Sequence, residues 1–257
     1  MPADGFATYP SLRDRTVVIT GGGSGIGARV VEEFVLQGSK VAFLDIAREA
    51  AQKLVSDVSA RGAHPPVFFP CDLTNIAELR RVLREIETRL GAVRVLVNNA
   101  GNDDRHRFSE ITPEYWDERM AVNLRHQFFA TQAVVPGMSA AGGGSVINMG
   151  SISWMIPLPG MVAYTTAKAA IGAMTRTVAR ELGTANIRVN CVAPGAIATE
   201  RQKRLWLTPE YSAQIIARQC LKRELMPADV ARLILFLAAD DSSAITGQTY
   251  VVDGGSV

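Results

Sequence analysis

The chain has 257 residues, 47% of them hydrophobic, enough for one large domain with a well-buried core. Twenty-seven basic against 25 acidic residues leave a formal charge of +2, which gives neither nucleic acid nor an acidic membrane surface a basic face to bind. No run approaches a membrane span, the opening "MPADGFATYPSLRDR" lacks the apolar core of a signal peptide, and Cys71, Cys191 and Cys220 are odd in number and scattered, so reduced thiols in a cytoplasmic protein are expected.

In chain order, "RTVVIT" (15–20) reads as a buried strand that runs into glycines and then a helix over 26–37. "KVAFLD" (40–45), "PPVFFP" (65–70), "VRVLVNNA" (93–100), "GSVINMG" (144–150) and "IRVNCVAPG" (187–195) repeat the apolar, Val- and Ile-rich strand pattern. Helix-length segments at 47–60, 75–89, 114–137 and 163–183 lie between them. "QTYVVDGG" supplies a last strand. Alternating strands and helices of this length predict an α/β fold, a single doubly wound domain over 1–257 with a parallel sheet and helices on both faces. No linker, repeat or low-complexity tract divides it. The polar, helical stretch 199–225 breaks the rhythm after the sixth strand. At that end of such a sheet ligands bind, so a substrate lid is expected there.

Gly21, Gly25 and Gly27 follow the first strand in a G-x3-G-x-G spacing. Missing side chains let the backbone turn tightly and bring a pyrophosphate to a helix N-terminus, where unpaired N–H groups favour an anion. A plain glycine turn would look the same, but Asp45 ends the second strand 18 residues beyond Gly27. A carboxylate there can accept from ribose hydroxyls and repels a 2′-phosphate, unless it only caps a helix. NAD is therefore the expected cofactor, with NADP second because Arg48 could tolerate the phosphate.

Tyr164 and Lys168, four apart on one helix face, and Ser151 at the end of the fifth strand form the candidate reacting set. An ammonium beneath a phenol favours the phenolate and suits the tyrosine to general-base work. Alone, Y-x3-K is an ordinary helix pair of core tyrosine and surface lysine; the strand-end serine and the upstream glycines argue for chemistry.

The chain resembles the short-chain dehydrogenase/reductase family over essentially its whole length. The residues that carry the likeness are "TGGGSGIG" (20–27), "CDL" (71–73), "NNAG" (98–101), Asn123 in "AVNL", Ser151, "YTTAK" (164–168), "PG" (194–195) and the terminal "VDGG". The resemblance implies a Rossmann-like sheet of about seven strands and Asn123, Ser151, Tyr164 and Lys168 as the catalytic set. Tyr164 would exchange the proton, Lys168 would hold the nicotinamide ribose, and Asn123 would anchor a water that relays protons. It also implies that Gly21, Ser24, Gly25, Ile26 and Gly27 meet the dinucleotide, that Asp72 and Leu73 flank the adenine, and that Asn99, Ala100 and Gly101 line the adenosine ribose. Pro194, Gly195, Ile197 and Thr199 would hold the carboxamide. A homotetramer pairing through the helices of 114–137 and 163–183 is the expectation for such relatives.

Within that family the chain is most similar to bacterial aldose 1-dehydrogenases, through "NNAGNDDRHRF" (98–108), "YWDERMAVNLRHQFF" (115–129), "GSISWMIPL" (150–158) and "QCLKRELMPADVARLILFLAADDSS" (219–243). A free sugar needs paired donors and acceptors and an aromatic surface. Asn102, Asp104 and His106 can supply the polar groups beside Ser151 and Tyr164, and Trp154 the ring unless it is a core or interface aromatic. Trp206 and Arg201 are weaker candidates, and Asp103 and Arg105 are expected to be scaffolding. The expected substrate is a pentose or related aldose such as L-arabinose, D-xylose, D-galactose or L-fucose, oxidised at C1 to the lactone. The alternatives are a 3-oxoacyl or other ketone reductase and a non-catalytic NAD-binding protein. No metal is expected, since three histidines without a ligand-spaced pair make a poor site.

Overall fold

A computed structural model of the chain describes residues 7–156 and 158–257. Residues 1–6 of the opening stretch and Pro157 of "GSISWMIPL" lie outside the described residues. Among the described residues seven strands form one sheet: β1 (Thr16–Thr20), β2 (Lys40–Asp45), β3 (Val67–Pro70), β4 (Val93–Asn98), β5 (Gly144–Met149), β6 (Ile187–Pro194) and β7 (Thr249–Val252). All pairings are parallel, in the order β3-β2-β1-β4-β5-β6-β7. This is the expected doubly wound, Rossmann-like architecture.

Alternation along the strands explains why both faces are covered. Val17 and Ile19 of β1 pack into one apolar layer with α1 (Gly25–Leu36), α2 (Arg48–Val58) and α9 (Pro227–Ala238). Val18 points the other way, into a layer with α3 (Ile76–Leu90), α5 (His126–Ala140) and the far end of α6 (Val162–Leu182). Every β1 residue is buried, so the strand reads as a continuous apolar run rather than an alternating one. Each such valine or isoleucine contributes about 1.5–3 kcal/mol on burial.

The segment expected as one helix over 114–137 is instead α4 (Pro113–Met120), a π-helical turn (Ala121–Arg125) and α5. Apolar periodicity runs through the whole segment, and the one extra residue in the turn is invisible to it. The polar stretch after β6 holds α7 (Glu200–Leu205) and α8 (Pro209–Arg218), joined to the body by a bridge between Ile197 and Leu225.

Strand order reverses between β1 and β4, so the loops that leave these two strands part from each other and open a crevice at the C-terminal edge. Cys71 and Cys191 are buried and Cys220 exposed, all as free thiols. Among the described residues no helix is long and apolar enough to cross a membrane, and no group of three or more His, Cys, Asp or Glu side chains could hold a metal ion.

Candidate active site

On the β1 side of the crevice the backbone is fitted to itself. Gly21 turns at φ 64°, and a Cβ on Gly27 would lie 1.9 Å from the Gly21 carbonyl oxygen, so only glycine lets α1 start this close to the turn. Asn99 locks the same turn from β4 by donating to the carbonyls of Thr20 and Gly21 (3.0 and 2.8 Å), and the Ala100 N–H donates to Thr20 Oγ1 (3.1 Å). Ser24 is the N-cap of α1 without a side-chain capping bond, which leaves the first N–H groups of the helix facing the crevice, with Ile26 half-buried behind them. The Asp45 carboxylate accepts from the Gly23 N–H (2.8 Å) and from the Ala47 N–H (2.9 Å). Its acidic edge therefore stands directly beside the glycine turn. Asp72 holds a local turn through the Thr74 N–H and hydroxyl, and Leu73 is buried next to it.

Behind the edge a buried polar ladder ties β4 and β5 to the helices. The Asn98 amide donates to Asn148 Oδ1 (2.9 Å) and Thr131 Oγ1 (3.2 Å), and Asn148 donates to Thr175 Oγ1 (3.0 Å). The next residue in β5, Met149, presents its carbonyl to Lys168 Nζ at 2.8 Å. Lys168 is 3% exposed and its Nζ lies 5.5 Å from the centre of the Tyr164 ring. Ser151, at the end of β5, hydrogen-bonds the Tyr164 hydroxyl and accepts from the Ser153 N–H (3.1 Å). Ser151, Tyr164 and Lys168 thus lie together at the end of β5.

The electrostatics differ from that expectation. Burial pushes the Lys168 ammonium down to about 8. The Tyr164 hydroxyl stands well above its ordinary value, because burial and then the Asp103 carboxylate outweigh the Ser151 hydrogen bond and the Arg201 charge. Lys168 does not figure among the groups that shift the hydroxyl; its ammonium donates to the Met149 carbonyl.

Asn123 sits in the π turn, fully buried, with its side chain fully engaged. It accepts from the Asn102 N–H (2.8 Å) and donates to the carbonyls of Asn102 (3.0 Å) and Arg119 (3.1 Å), so its side chain fixes the start of the β4 loop. A Cβ on Gly101 would lie 3.1 Å from Asn123 Oδ1 and 3.3 Å from Lys168 Nζ, which brings Gly101 against both.

The loop that follows is a lattice of charge. Asp104 pairs with Arg119 (3.3 Å) and Arg201 (2.7 Å), and its N–H donates to Asn102 Oδ1 (2.9 Å). Asp103 pairs with Arg201 and accepts from Gln202 Nε2 (2.5 Å). His106 Nδ1 is hydrogen-bonded to the Tyr115 hydroxyl (2.9 Å), its N–H donates to the Gly160 carbonyl (2.9 Å), and its Nε2 is buried without a protein partner. The Arg105 guanidinium stacks 4.1 Å from the centre of the Trp206 ring. Trp154 is 47% exposed on the turn after Ser151. Gly195 donates to the Val252 carbonyl, Pro194 ends β6, and Ile197 is buried. Thr199 caps α7 and lies 3.3 Å from where a Gly25 Cβ would stand, so the segment after β6 closes onto the glycine turn.

Sequence reasoning passed over Tyr115, Arg119 and His126. Tyr115, Arg119 and Asn123 recur every four residues, a spacing that puts them on one helical face and could have found the first two. Arg119 is 7% exposed, bonded to Glu118 (2.6 Å) as well as Asp104. His126 is fully buried near Lys168, and burial holds it neutral, down to about 4.

A family model described as enoyl-(acyl carrier protein) reductase matches residues 21–256. The chain is 55% identical over 249 residues to the D-xylose 1-dehydrogenase of Caulobacter vibrioides, covering 97% of this chain and 98% of that one. It is 51% identical over 247 residues to the probable galactose dehydrogenase GalD of Rhizobium meliloti, covering 96% of each. A solved short-chain type dehydrogenase/reductase from Mycobacterium ulcerans superposes with a TM-score of 0.91 at 28% identity, over 97% of this chain and 91% of that one.

Proposed function

The chain belongs to the short-chain dehydrogenase/reductase family of oxidoreductases, and on that premise we propose that it oxidises a free aldose at C1 to the aldonolactone, with NAD as the preferred nicotinamide dinucleotide. The observation that carries the substrate class is its full-length likeness to a D-xylose 1-dehydrogenase and a probable galactose dehydrogenase. One relative is named for a pentose and the other for a hexose, so pentose and hexose aldoses together form the class.

The residues present fit a dinucleotide. Gly21 and Gly27 let the turn and the start of α1 pack against each other, the N-terminus of α1 offers unpaired N–H groups to a pyrophosphate, and Asp45 sets a carboxylate beside the turn that would repel a 2′-phosphate. Gly21, Ser24, Gly25, Ile26 and Gly27, with Asp45, Asp72, Leu73, Asn99, Ala100 and Gly101, would hold the adenosine and pyrophosphate. Pro194, Gly195, Ile197 and Thr199, with Tyr164 and Lys168, would hold the nicotinamide end. When bound, the nicotinamide supplies the hydride acceptor.

Ser151 and Tyr164 receive the C1 hydroxyl in hydrogen bonds and orient it. Tyr164, once ionised, takes the hydroxyl proton at its phenolic oxygen. Lys168, held by the Met149 carbonyl and already acidic for a lysine, is the group next in line to carry that proton away. Asn123 holds the loop that faces them. The β4 loop from Asn102 to His106 and the segment 199–225 wall the sugar side, with Trp154 free to stack on its C–H face. Assembly as a homotetramer through α5 and α6 belongs to the same reading, and the 42% exposure of Phe128 on α5 supports an outward apolar contact there.

The test is a panel of aldoses assayed for kcat/KM with NAD and with NADP, for wild type and Tyr164→Phe. Activity on D-xylose or D-galactose is expected to favour NAD and to rise with pH toward the alkaline side, since the phenol must lose its proton. Tyr164→Phe is expected to lose turnover roughly a thousandfold. Retention of more than a few per cent, or activity confined to ketone reduction with NADPH, would overturn the assignment.

A further inference from the structure

α7 is six residues long, and none of them is buried. Such a piece has no apolar face to hold it down, so its placement depends on polar contacts with the β4 loop. Those contacts converge on one side chain. The Arg201 guanidinium bonds Asp103 and donates to Asp104 Oδ1 (2.7 Å) and, more weakly, to Asn102 Oδ1 (3.4 Å). Gln202 adds a bond to Asp103 and Arg105 stacks on Trp206 just past the helix. A second observation comes from the reacting end. The charged side chains that act on the Tyr164 hydroxyl from other elements are these same two, Asp103 opposing its ionisation and Arg201 favouring it.

We propose that Arg201 is a positioning residue for the reaction: it ties α7 to the β4 loop and, by the same contact with Asp103, offsets part of the negative charge near the Tyr164 hydroxyl. This inference rests on the reading of Tyr164 as the base. A carboxylate near a phenol penalises the phenolate through direct repulsion, and a guanidinium paired with that carboxylate removes most of the penalty. With α7 in place the phenol faces a carboxylate paired to a guanidinium. With α7 away it faces a bare carboxylate. The covering of the site and the readiness of its base are then one event.

The other ionisable groups around Tyr164 and Lys168 are held by elements other than α7. Lys168 is bonded to Met149 on β5. Arg119 of α4 is engaged with Asp104 and Glu118. Cys191 of β6 is buried beside Lys168 with its thiol pushed up, and His126 is held neutral. Arg201 is the charged side chain that joins α7 to Asp103, with Gln202 beside it.

The experiment is the pH profile of kcat/KM, with D-xylose and D-galactose and NAD, for wild type, Arg201→Gln, Asp103→Asn and the double variant. Arg201→Gln is expected to move the rising limb to higher pH by about half a unit or more, and Asp103→Asn to move it to lower pH. The double variant is expected to return it near the wild-type position while sugar KM stays raised, because α7 is no longer tied. Arg201→Lys keeps the charge but not the fork, so its limb should stay in place with KM raised. Single variants that shift the limb in the same direction, or leave it unmoved while activity falls equally, would reduce the pair to bracing and overturn the inference. Tyr164→Phe run alongside keeps the two claims apart: substantial activity there would overturn the base assignment, and the inference with it.

Discussion

The two walls of the crevice are built by opposite means. The β1 wall is backbone shape: a glycine turn, a helix start and an asparagine that donates to two carbonyls, with Asp45 as its one prominent charge. The β4 wall is a lattice of side chains in which two acids, three arginines, a glutamine, a histidine and two aromatics pair with, bond to or stack on one another. A surface that must fit an invariant dinucleotide can be cut once from backbone. On the proposed reading the second wall discriminates among hydroxyl epimers and needs exchangeable polar groups, because an unmatched buried donor or acceptor is what rejects the wrong epimer.

That contrast sets the scale of the expected effects. Gly27→Ala adds one methyl at the β1 wall, 1.9 Å from a backbone oxygen, so the turn or the helix must shift. A loss of about 3 kcal/mol or more in stability is expected, with dinucleotide KM raised far above any change in sugar KM. Urea unfolding and the two KM values measure it, and a well-folded variant with normal dinucleotide KM would break the comparison. Lys168→Met lies where the walls meet. It is expected to lose turnover about a thousandfold yet melt no lower than wild type at pH 7, since the buried ammonium costs more than it returns. Between about pH 8, its value in the fold, and its ordinary 10.5, the native chain binds fewer protons than the unfolded one, so wild type gains stability as pH rises through that window and the variant does not. Melting temperatures from pH 7 to 10.5 would show the two curves closing. At the β4 wall, Asp104→Asn removes a half-exposed charge from two pairs. About 1 kcal/mol or less of stability is expected to go, with sugar KM raised a few-fold and dinucleotide KM unchanged. Equal changes in both KM values would show that the walls are not separate.

The same contrast explains what could be read from the sequence. The glycine turn, Asp45 and the Tyr164–Lys168 pair are local: each requirement falls within one turn, one strand end or one helix face, and spacing records it. The strands were legible because a sheet covered on both faces must be mostly apolar, with its few polar residues paired as Asn98 and Asn148 are. The clasp of Arg201 on Asp103 and Asp104 joins residues 98 and 97 positions apart, and nothing in either stretch names its partner. Asp103 had been expected as internal scaffolding and Asp104 as a sugar contact. Both brace α7, and Asp103 is the one that acts on Tyr164. The raised tyrosine was illegible for a further reason, since burial and a carboxylate 61 positions away, Asp103, decide it.

The π turn between α4 and α5 works as a phase shifter. An α-helix advances about 100° per residue, so one extra residue in Ala121–Arg125 rotates everything beyond it by about that angle relative to an uninterrupted helix. Before the slip, α4 packs on α6; after it, α5 packs on α3 and β4. Removing any one residue of 121–125 would restore a regular helix and turn Asn123 and His126 out of step with each other. Both neighbours could then no longer be faced at once. A single-residue deletion on this helix, far from any loop, is thus predicted to be as disabling as loss of a catalytic group, while deletions in the exposed tip around Phe108 should pass with little effect.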